Sequence, residues 1–296
     1  MIKLLSSLVN GISLGSVYAI IALGYTMVYG IAKMLNFAHG DVIMIGAYIA
    51  FTVVFNLKLP AVAAVAAAMV VCTALGVLIE RLAYKPLRQA TSLAVLITAI
   101  GMSYLLQNIA LLIPIWGPNP KAFPSMITIP SVSLFGGQMK ITGEAIVTIA
   151  ACIIIMVGLT LFTSRTKMGK AMRCVSEDKG AAQLMGINVN FTISLTFAIG
   201  SALAAIAGVL LCSSYPNLQP TTGSMPGIKA FTAAVFGGIG SIPGAMIGGL
   251  LLGIIEILGK AYISTELGDA LVFAVLIIIL LVKPTGLLGK PVHEKV

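Results

Sequence analysis

Leu4–Ile31 reads LLSSLVNGISLGSVYAIIALGYTMVYGI, an apolar run longer than the roughly 20 residues an α-helix needs to cross about 30 Å of hydrocarbon. Six further stretches continue the pattern: Pro60–Leu82, Ser92–Ile113, Ala145–Phe162, Phe191–Cys212, Ala245–Ile263 and Ala270–Val282. Two more, Val42–Leu57 and Met225–Gly240, are shorter and rich in glycine, and read either as short crossings or as re-entrant segments. Composition agrees: 59% of the chain is hydrophobic and 9% charged, where a soluble domain carries about 25% charged residues. Too few polar groups exist to cover a soluble surface of this size, so the surplus apolar surface faces lipid. The expected fold is an all-α, polytopic transmembrane helix bundle of eight or nine segments, some broken or re-entrant, forming one domain over residues 1–296. The opening run is too long for the core of a cleaved signal peptide, and no small-residue cleavage site follows it.

The net charge of +9 is not spread as nucleic-acid binding requires. Arg81, Lys85 and Arg88 share one inter-helix loop; Arg165, Lys167, Lys170, Arg173 and Lys179 share another; Lys283, Lys290 and Lys295 close the chain. Short basic loops stay in the cytoplasm. Counting Met225–Gly240 as a crossing puts all three regions on that side, with nine spans and an outside N-terminus; a re-entrant Val42–Leu57 would flip that end. Cys72, Cys152 and Cys212 fall inside spans and Cys174 in a basic loop, which gives no disulfide framework.

The opening helix carries Asn10, Ser13, Tyr18 and Thr26, and the pair Gly11 and Gly15, four residues apart, suits close helix contact. It is expected inside the bundle. After Gly30 the chain reads KMLNFAHGD over Lys33–Asp41 and then turns apolar again. Such a break is tolerated at membrane depth only where it is buried in protein or lines a cavity. A second glycine block, FGGIGSIPG over Phe236–Gly244, continues to Gly253, and interrupted helices in two halves of a chain point to a central pathway. Residues 114–142 form the longest extracytoplasmic loop. Its five prolines, with Gly136 and Gly137, make it turn-rich, and Trp116 reads as an interface anchor.

The cytoplasmic loop 164–190 contains a helix of its own. Ser176 is a good N-cap, Glu177 and Asp178 suit the first turn, and Gly186 is a natural terminator. Ala181, Leu184 and Met185 then share one face. This helix either lies on the bilayer or docks into a soluble partner, and its acidic start and small apolar face favour docking.

Four stretches, in this order, carry a resemblance that runs nearly end to end: NGISLGSVYAIIALGYTMVYG (10–30), LNFAHGDVIMIGAY (35–48), MGKAMRCVSEDKGAAQLMGIN (168–188) and AVFGGIGSIPGAMIGGLLLG (234–253). The chain resembles the permeases of branched-chain amino-acid ABC importers, in their shorter subunit type, found in the bacterial inner membrane. The resemblance implies a pore of two permeases, alike or unlike, two cytoplasmic ATPases beneath it, and an extracytoplasmic binding protein that delivers the solute. It implies that 176–186 is the coupling helix and extends the docking set to Met168, Gly169, Arg173 and Ala182. The chain has no phosphate-binding loop, so the resemblance leaves ATP and magnesium to the partner ATPases and expects no cofactor and no enzymatic activity here. Relatives carrying simple sugars, urea or short amides keep those cargoes open, and a secondary carrier or channel is the reading from another class.

For the pathway, Asn36, His39, Gly40 and Asp41 are candidates at the first break, and Gly240 and Gly244 at the second. Asp41 either meets a solute ammonium or caps the helix that starts at Val42. Asn36 is placed to satisfy the broken backbone. Glu256 stands four residues before Lys260, the favourable order for a helix-surface pair. With two histidines and no cysteine or carboxylate cluster, no metal site is expected.

Overall fold

The computed structural model describes residues 2–134 and 139–289. Gly136, Gly137, Lys290 and Lys295 lie outside the described residues. The elements in order are helices α1 (Ile2–Ala32), α2 (His39–Phe55), α3 (Ala61–Ile79), α4 (Ser92–Leu112), α5 (Gly143–Arg165), α6 (Lys167–Glu177), α7 (Lys179–Leu184), α8 (Val189–Ser214), α9 (Ser224–Gly237), α10 (Ile242–Tyr262) and α11 (Gly268–Val282). A π-turn, Glu80–Tyr84, extends α3. Four short strands flank the helices: β1 (Lys121–Ala122) pairs antiparallel with β4 (Asn217–Leu218), and β2 (Val132–Leu134) with β3 (Met139–Ile141). Among the described residues, six helices are long and apolar enough to cross a membrane: α1, α3 with its π-turn, α4, α5, α8 and α10. Helices α2 and α11 are apolar but shorter, and α9 has 14 residues.

Helix starts follow the capping residues the chain provides. Thr91, Thr142, Thr166, Asn188 and Ser241 each accept a backbone N–H of the helix they precede, satisfying donors that the first turn leaves free. The α2 and α9 starts, at Ala38 and Gly223, have no side-chain cap. Both begin inside the bundle.

One end of the bundle gathers the basic loops. There the Lys179 ammonium donates to the last carbonyl of α1, Ala32, at 3.0 Å. Arg88, after α3, donates to Asn190 at the start of α8, and Leu287 and Leu288, after α11, donate to Phe236 and Gly237 at the end of α9. From this basic end α1 runs away towards its own N-terminus, and α10 lies antiparallel against it. A Cβ on Gly253 would fall 2.2 Å from the Gly15 Cα, and one on Gly249 would fall 2.4 Å from the Ala19 nitrogen. Gly11 and Gly15, the pair read from the sequence as suited to close contact, therefore face Gly249 and Gly253. The other side of α10 meets α9, where Gly248 lies under the Ala233 carbonyl.

Helix α2 does not begin at the basic end. His39 packs against Gly24 of α1, eight residues or about 12 Å before the end of that helix. The intervening residues 33–38 climb back into the bundle without helix, with Met34, Asn36 and Ala38 buried. Residues 215–223 make the mirror-image descent from the opposite end, and α9 completes the way to the basic end. Each half-helix with its lead-in thus makes one crossing. The N-terminus lies at the end opposite the basic loops. α1 is the central element: from Leu14 to Val28 every residue is buried.

Candidate functional site

The uncapped starts of α2 and α9 meet. Gly40 and Gly223 lie so close that a Cβ on either would strike the other's backbone, and Gly227 lies on Gly40 as well. Absence of side chains lets both N-termini approach one point, and N-termini carry the positive end of the helix dipole. Beside that point is a cavity of about 330 Å³. Phe37, Leu96, Ile100 and Ile228 give it apolar walls, and Asp41, Ser103, Gln107 and Ser224 form its polar part. The Gln107 amide donates to Asp41 Oδ1 at 2.8 Å and lies 3.3 Å from both the Ser103 and Ser224 hydroxyls. One glutamine on α4 therefore joins the two half-helices.

Asp41 is 1% exposed and stands in the first turn of α2, which begins at His39. The alternative of a cap for a helix starting at Val42 is corrected: the helix starts three residues earlier, and the carboxylate is held by Gln107. His39 is buried with its ring edge-on to Tyr25 at 4.6 Å, and its Nε2 has no hydrogen-bond partner. Asn36 accepts the Tyr84 hydroxyl at 2.9 Å, so it ties the break to the π-turn of α3. Gly240 and Gly244 sit elsewhere, in the α9–α10 turn at the basic end. Gly240 packs on Gly30, and Gly244 on the Gly237 carbonyl. Neither lines the cavity.

The loop 164–190 holds two helices rather than one. Ser176 is in the last turn of α6, where its hydroxyl donates to the Arg173 carbonyl at 2.7 Å. The expected N-cap therefore moves to Asp178, which accepts from Gly180 and Ala181 at 2.8 and 3.0 Å. The physical reason is the apolar stripe of α6: Gly169, Met172 and Val175 are buried and hold the helix through Glu177. Met168 belongs to the first turn of α6, and Arg173 reaches back to the Ser164 carbonyl. In α7, Ala182 is buried, while Leu184 and Met185 are 90% and 83% exposed. Gly186 terminates it with φ of +80°. Burial and the nearby Arg88 and Lys33 charges hold the Lys179 ammonium below its ordinary value.

Two buried polar clusters were not legible as such. Glu256 pairs with Lys260 at 2.5 Å as its spacing suggested, but it also takes Lys229 at 2.8 Å and the Tyr18 hydroxyl at 2.8 Å. Lys229 in turn reaches Asp269 at 2.6 Å. These groups come from α1, α9, α10 and α11, and Glu256 is 1% exposed. At the basic end, Glu80 opens the π-turn fully buried, bound by Arg88 and by the Ser194 hydroxyl at 2.6 Å. Trp116 is also not a lipid anchor. It is 7% exposed, stacked on Tyr48 at 4.8 Å, and it donates to Thr52 at 3.0 Å.

Residues 7–280 match the family described as branched-chain amino acid transport system / permease component. The chain is 48% identical to the high-affinity branched-chain amino acid transport system permease protein BraD of Pseudomonas aeruginosa, over 99% of this chain and 98% of that one. It is equally 48% identical to LivH of Escherichia coli, a permease protein of the same description, over 99% and 97% of the two chains. The ribose import permease protein RbsC of Escherichia coli is 25% identical over 85% and 77%. With six membrane-length apolar helices and transport permeases as its relatives, this is a multi-pass membrane protein, and it belongs to the family of branched-chain amino acid transport permeases.

Proposed function

We propose that the chain is the pore-forming subunit of an ATP-driven importer of branched-chain amino acids in a bacterial inner membrane. The observation that carries this reading is the cavity where α2 and α9 begin. Pockets for small molecules are mainly apolar with a few placed polar groups, and this one sets aliphatic and aromatic walls beside a carboxylate, an amide and the hydroxyls of Ser103, Tyr104 and Ser224. An aliphatic side chain suits the walls. An ammonium suits Asp41, and a carboxylate suits the α9 start, where the positive end of the helix dipole favours an anion. Neither urea nor a sugar offers that combination, and the relatives named for branched-chain amino acids share nearly twice the identity of the ribose permease.

Transport needs coupling to an energy source, and α7 is the element suited to it. It stands at the basic end, taken as cytoplasmic, with Leu184 and Met185 exposed. A groove of a partner ATPase would cover them. The docking set is then Met168, Gly169, Arg173 and Ser176–Asp178 in and after α6, with Ala181, Ala182 and Leu184–Gly186 at α7. Lys179 links this helix to Ala32, and nine residues further along the chain stands Asp41. A shift of α7 on ATP binding would therefore reach the break at 33–38 directly. Partners in this reading are two ATPases holding ATP and magnesium, a second permease and an extracytoplasmic binding protein facing loop 114–142. Pathway candidates remain Asn36, His39, Gly40 and Asp41.

The test is reconstitution into proteoliposomes with the ATPases and the binding protein, followed by uptake of labelled leucine, isoleucine, valine, ribose and urea. ATP-dependent uptake of the three aliphatic amino acids alone is expected. Uptake of ribose or urea in their place refutes the cargo, and uptake without ATPase subunits refutes the coupling.

A further inference from the structure

A second cavity, of about 480 Å³, lies beside the first on the side away from the basic end, and Ser224 lines both. Its wall includes Lys229, Glu256 and Lys260. With Asp269 these form a chain of alternating sign, Lys260, Glu256, Lys229, Asp269, at successive separations of 2.5, 2.8 and 2.6 Å. Withdrawing charges from water costs several kcal/mol for each ion. Glu256 and Lys229 bear that cost, with Lys260 and Asp269 at the half-exposed ends of the chain; one pair would suffice to fasten α9 to α10, so the added ions ask for a further reason.

The hydrogen-bond inventory supplies it. Glu256 is engaged at both oxygens, by two ammoniums and a phenol. Lys229 is 5% exposed and already bridges two carboxylates. Lys260 differs: its side chain is 33% exposed, and among the described residues it donates only to Glu256. An ammonium has three donors, so two remain for the cavity. The same wall carries neutral acceptors, Tyr215, Asn217 and Gln219. A carboxylate on Lys260 with an ammonium on those acceptors satisfies both. A lone cation there meets two lysines, and a lone anion on Lys260 meets Glu256, which lies 2.5 Å from that ammonium. An uncharged solute forms no charge-assisted bond, which is about twice as strong as a neutral one.

We infer that this cavity is an outer subsite for zwitterionic solutes, in which Lys260 holds the α-carboxylate before the solute passes Ser224 to the Asp41 cavity. It rests on the amino-acid reading above and adds a second site that selects by charge pattern, whereas the inner cavity reads the aliphatic side chain.

The experiment places a reporter thiol at the cavity wall. Thr221 is exposed there, and of the native cysteines Cys174 is exposed while Cys72, Cys152 and Cys212 are buried. The double variant Thr221→Cys, Cys174→Ser, in the assembled complex in nanodiscs, is labelled with a maleimide. Millimolar L-leucine is expected to slow labelling about ten-fold. Isoamylamine, which lacks the carboxylate, 4-methylpentanoate, which lacks the ammonium, and ribose leave the rate unchanged. Lys260→Met abolishes the protection and Lys260→Arg restores it. Equal protection by 4-methylpentanoate or isoamylamine, no protection by leucine, or full protection in Lys260→Met overturns the inference. The solute comparison is made with Lys260 intact, so it decides even where Lys260→Met does not assemble. Leucine uptake by the complex with its native Thr221 separates the two readings: uptake there without protection in the variant removes the subsite alone, and absence of uptake there removes the cargo.

Discussion

Replacing Asp41 with asparagine isolates charge from shape at the inner cavity. The asparagine keeps an oxygen for the Gln107 amide, now 2.8 Å from Asp41 Oδ1, so the bridge from α2 through α4 to Ser224 survives. What goes is the negative charge. If a solute ammonium binds there, a hydrogen bond to a charged group, typically about 1.5–3 kcal/mol, is reduced to a neutral one. At about 1.4 kcal/mol per decade, full loss corresponds to roughly 10- to 150-fold in solute affinity. The competing structural role is small, because a first-turn acid contributes about 0.3–1 kcal/mol through the helix dipole. Asp41→Ala is the harsher control. It also strips the Gln107 amide of its best acceptor, at about 1–3 kcal/mol for an unsatisfied buried group. The assay is leucine uptake at saturating binding protein, normalised to assembled complex, with thermal stability measured in parallel. Asparagine should cut uptake at least ten-fold while the melting temperature barely moves. Alanine should lower both. Wild-type uptake in Asp41→Asn would refute the role of Asp41 as the ammonium partner.

Three further outcomes test other parts of the reading. Leu184→Glu with Met185→Glu leaves the permease fold intact, since both side chains point to solvent, yet places charge where roughly 1.5–3 kcal/mol per residue would come from burial; co-purification of ATPase subunits should fall ten-fold or more. Lys179→Met removes the contact with the Ala32 carbonyl, so ATPases stay bound while leucine moved per ATP drops several-fold, and Lys179→Arg keeps most of it. Gly253→Leu puts a Cβ 2.2 Å from the Gly15 Cα, against an ordinary contact of about 3.5–4.0 Å. Helices α1 and α10 must part by about 1.3–1.8 Å, at an overpacking cost of about 1–3 kcal/mol, and the purified protein should melt several degrees lower.

The sequence exposed those features whose cause is local or periodic. Apolar run length marked the crossings, the polar interruption at 33–41 marked the broken helix, and glycines four residues apart marked the α1–α10 contact before their partners were known. Gly186 ended α7 because the chain there needs a positive φ. Local signals also misled. Ser176 and Asp178 are both good caps two residues apart, and the choice fell to the buried stripe of Met172 and Val175, which keeps α6 helical past Ser176. Trp116 carried the signature of a membrane anchor until Tyr48 and Thr52 on α2 claimed it. What stayed hidden was long-range pairing of polar residues. Gln107 and Asn108 are adjacent amides in an apolar span, and the partners of Gln107, Asp41 and Ser224, are 66 and 117 positions away. Lys229 reads as a stray charge until Glu256 and Asp269, 27 and 40 positions on, close around it.

These hidden pairings share a physical logic. Lipid gives no water to satisfy a broken backbone or a buried ion, so each departure from regular helix must be answered by a side chain from a distant element. The break at 33–38 is answered by Tyr84 on Asn36, and the start of α9 by Gln107 from α4. Lys229 within α9 is answered by acids from α10 and α11. Both half-helices are thus held at one end by their neighbours and are free of a cap where they meet. That arrangement lets a few side-chain bonds, rather than whole helix packings, set how far apart α2 and α9 stand. Lys179 connects the same assembly to α7 at the basic end, through the last turn of α1. On the proposed coupling, moving α7 by a few ångströms would load the non-helical segment 33–38 that leads to Asp41, while the α1–α10 contact, locked by backbone against backbone, would stay as the fixed frame. In the proposed reading, a pore built this way opens at its breaks, and Asp41, Gln107 and Ser224 decide that opening.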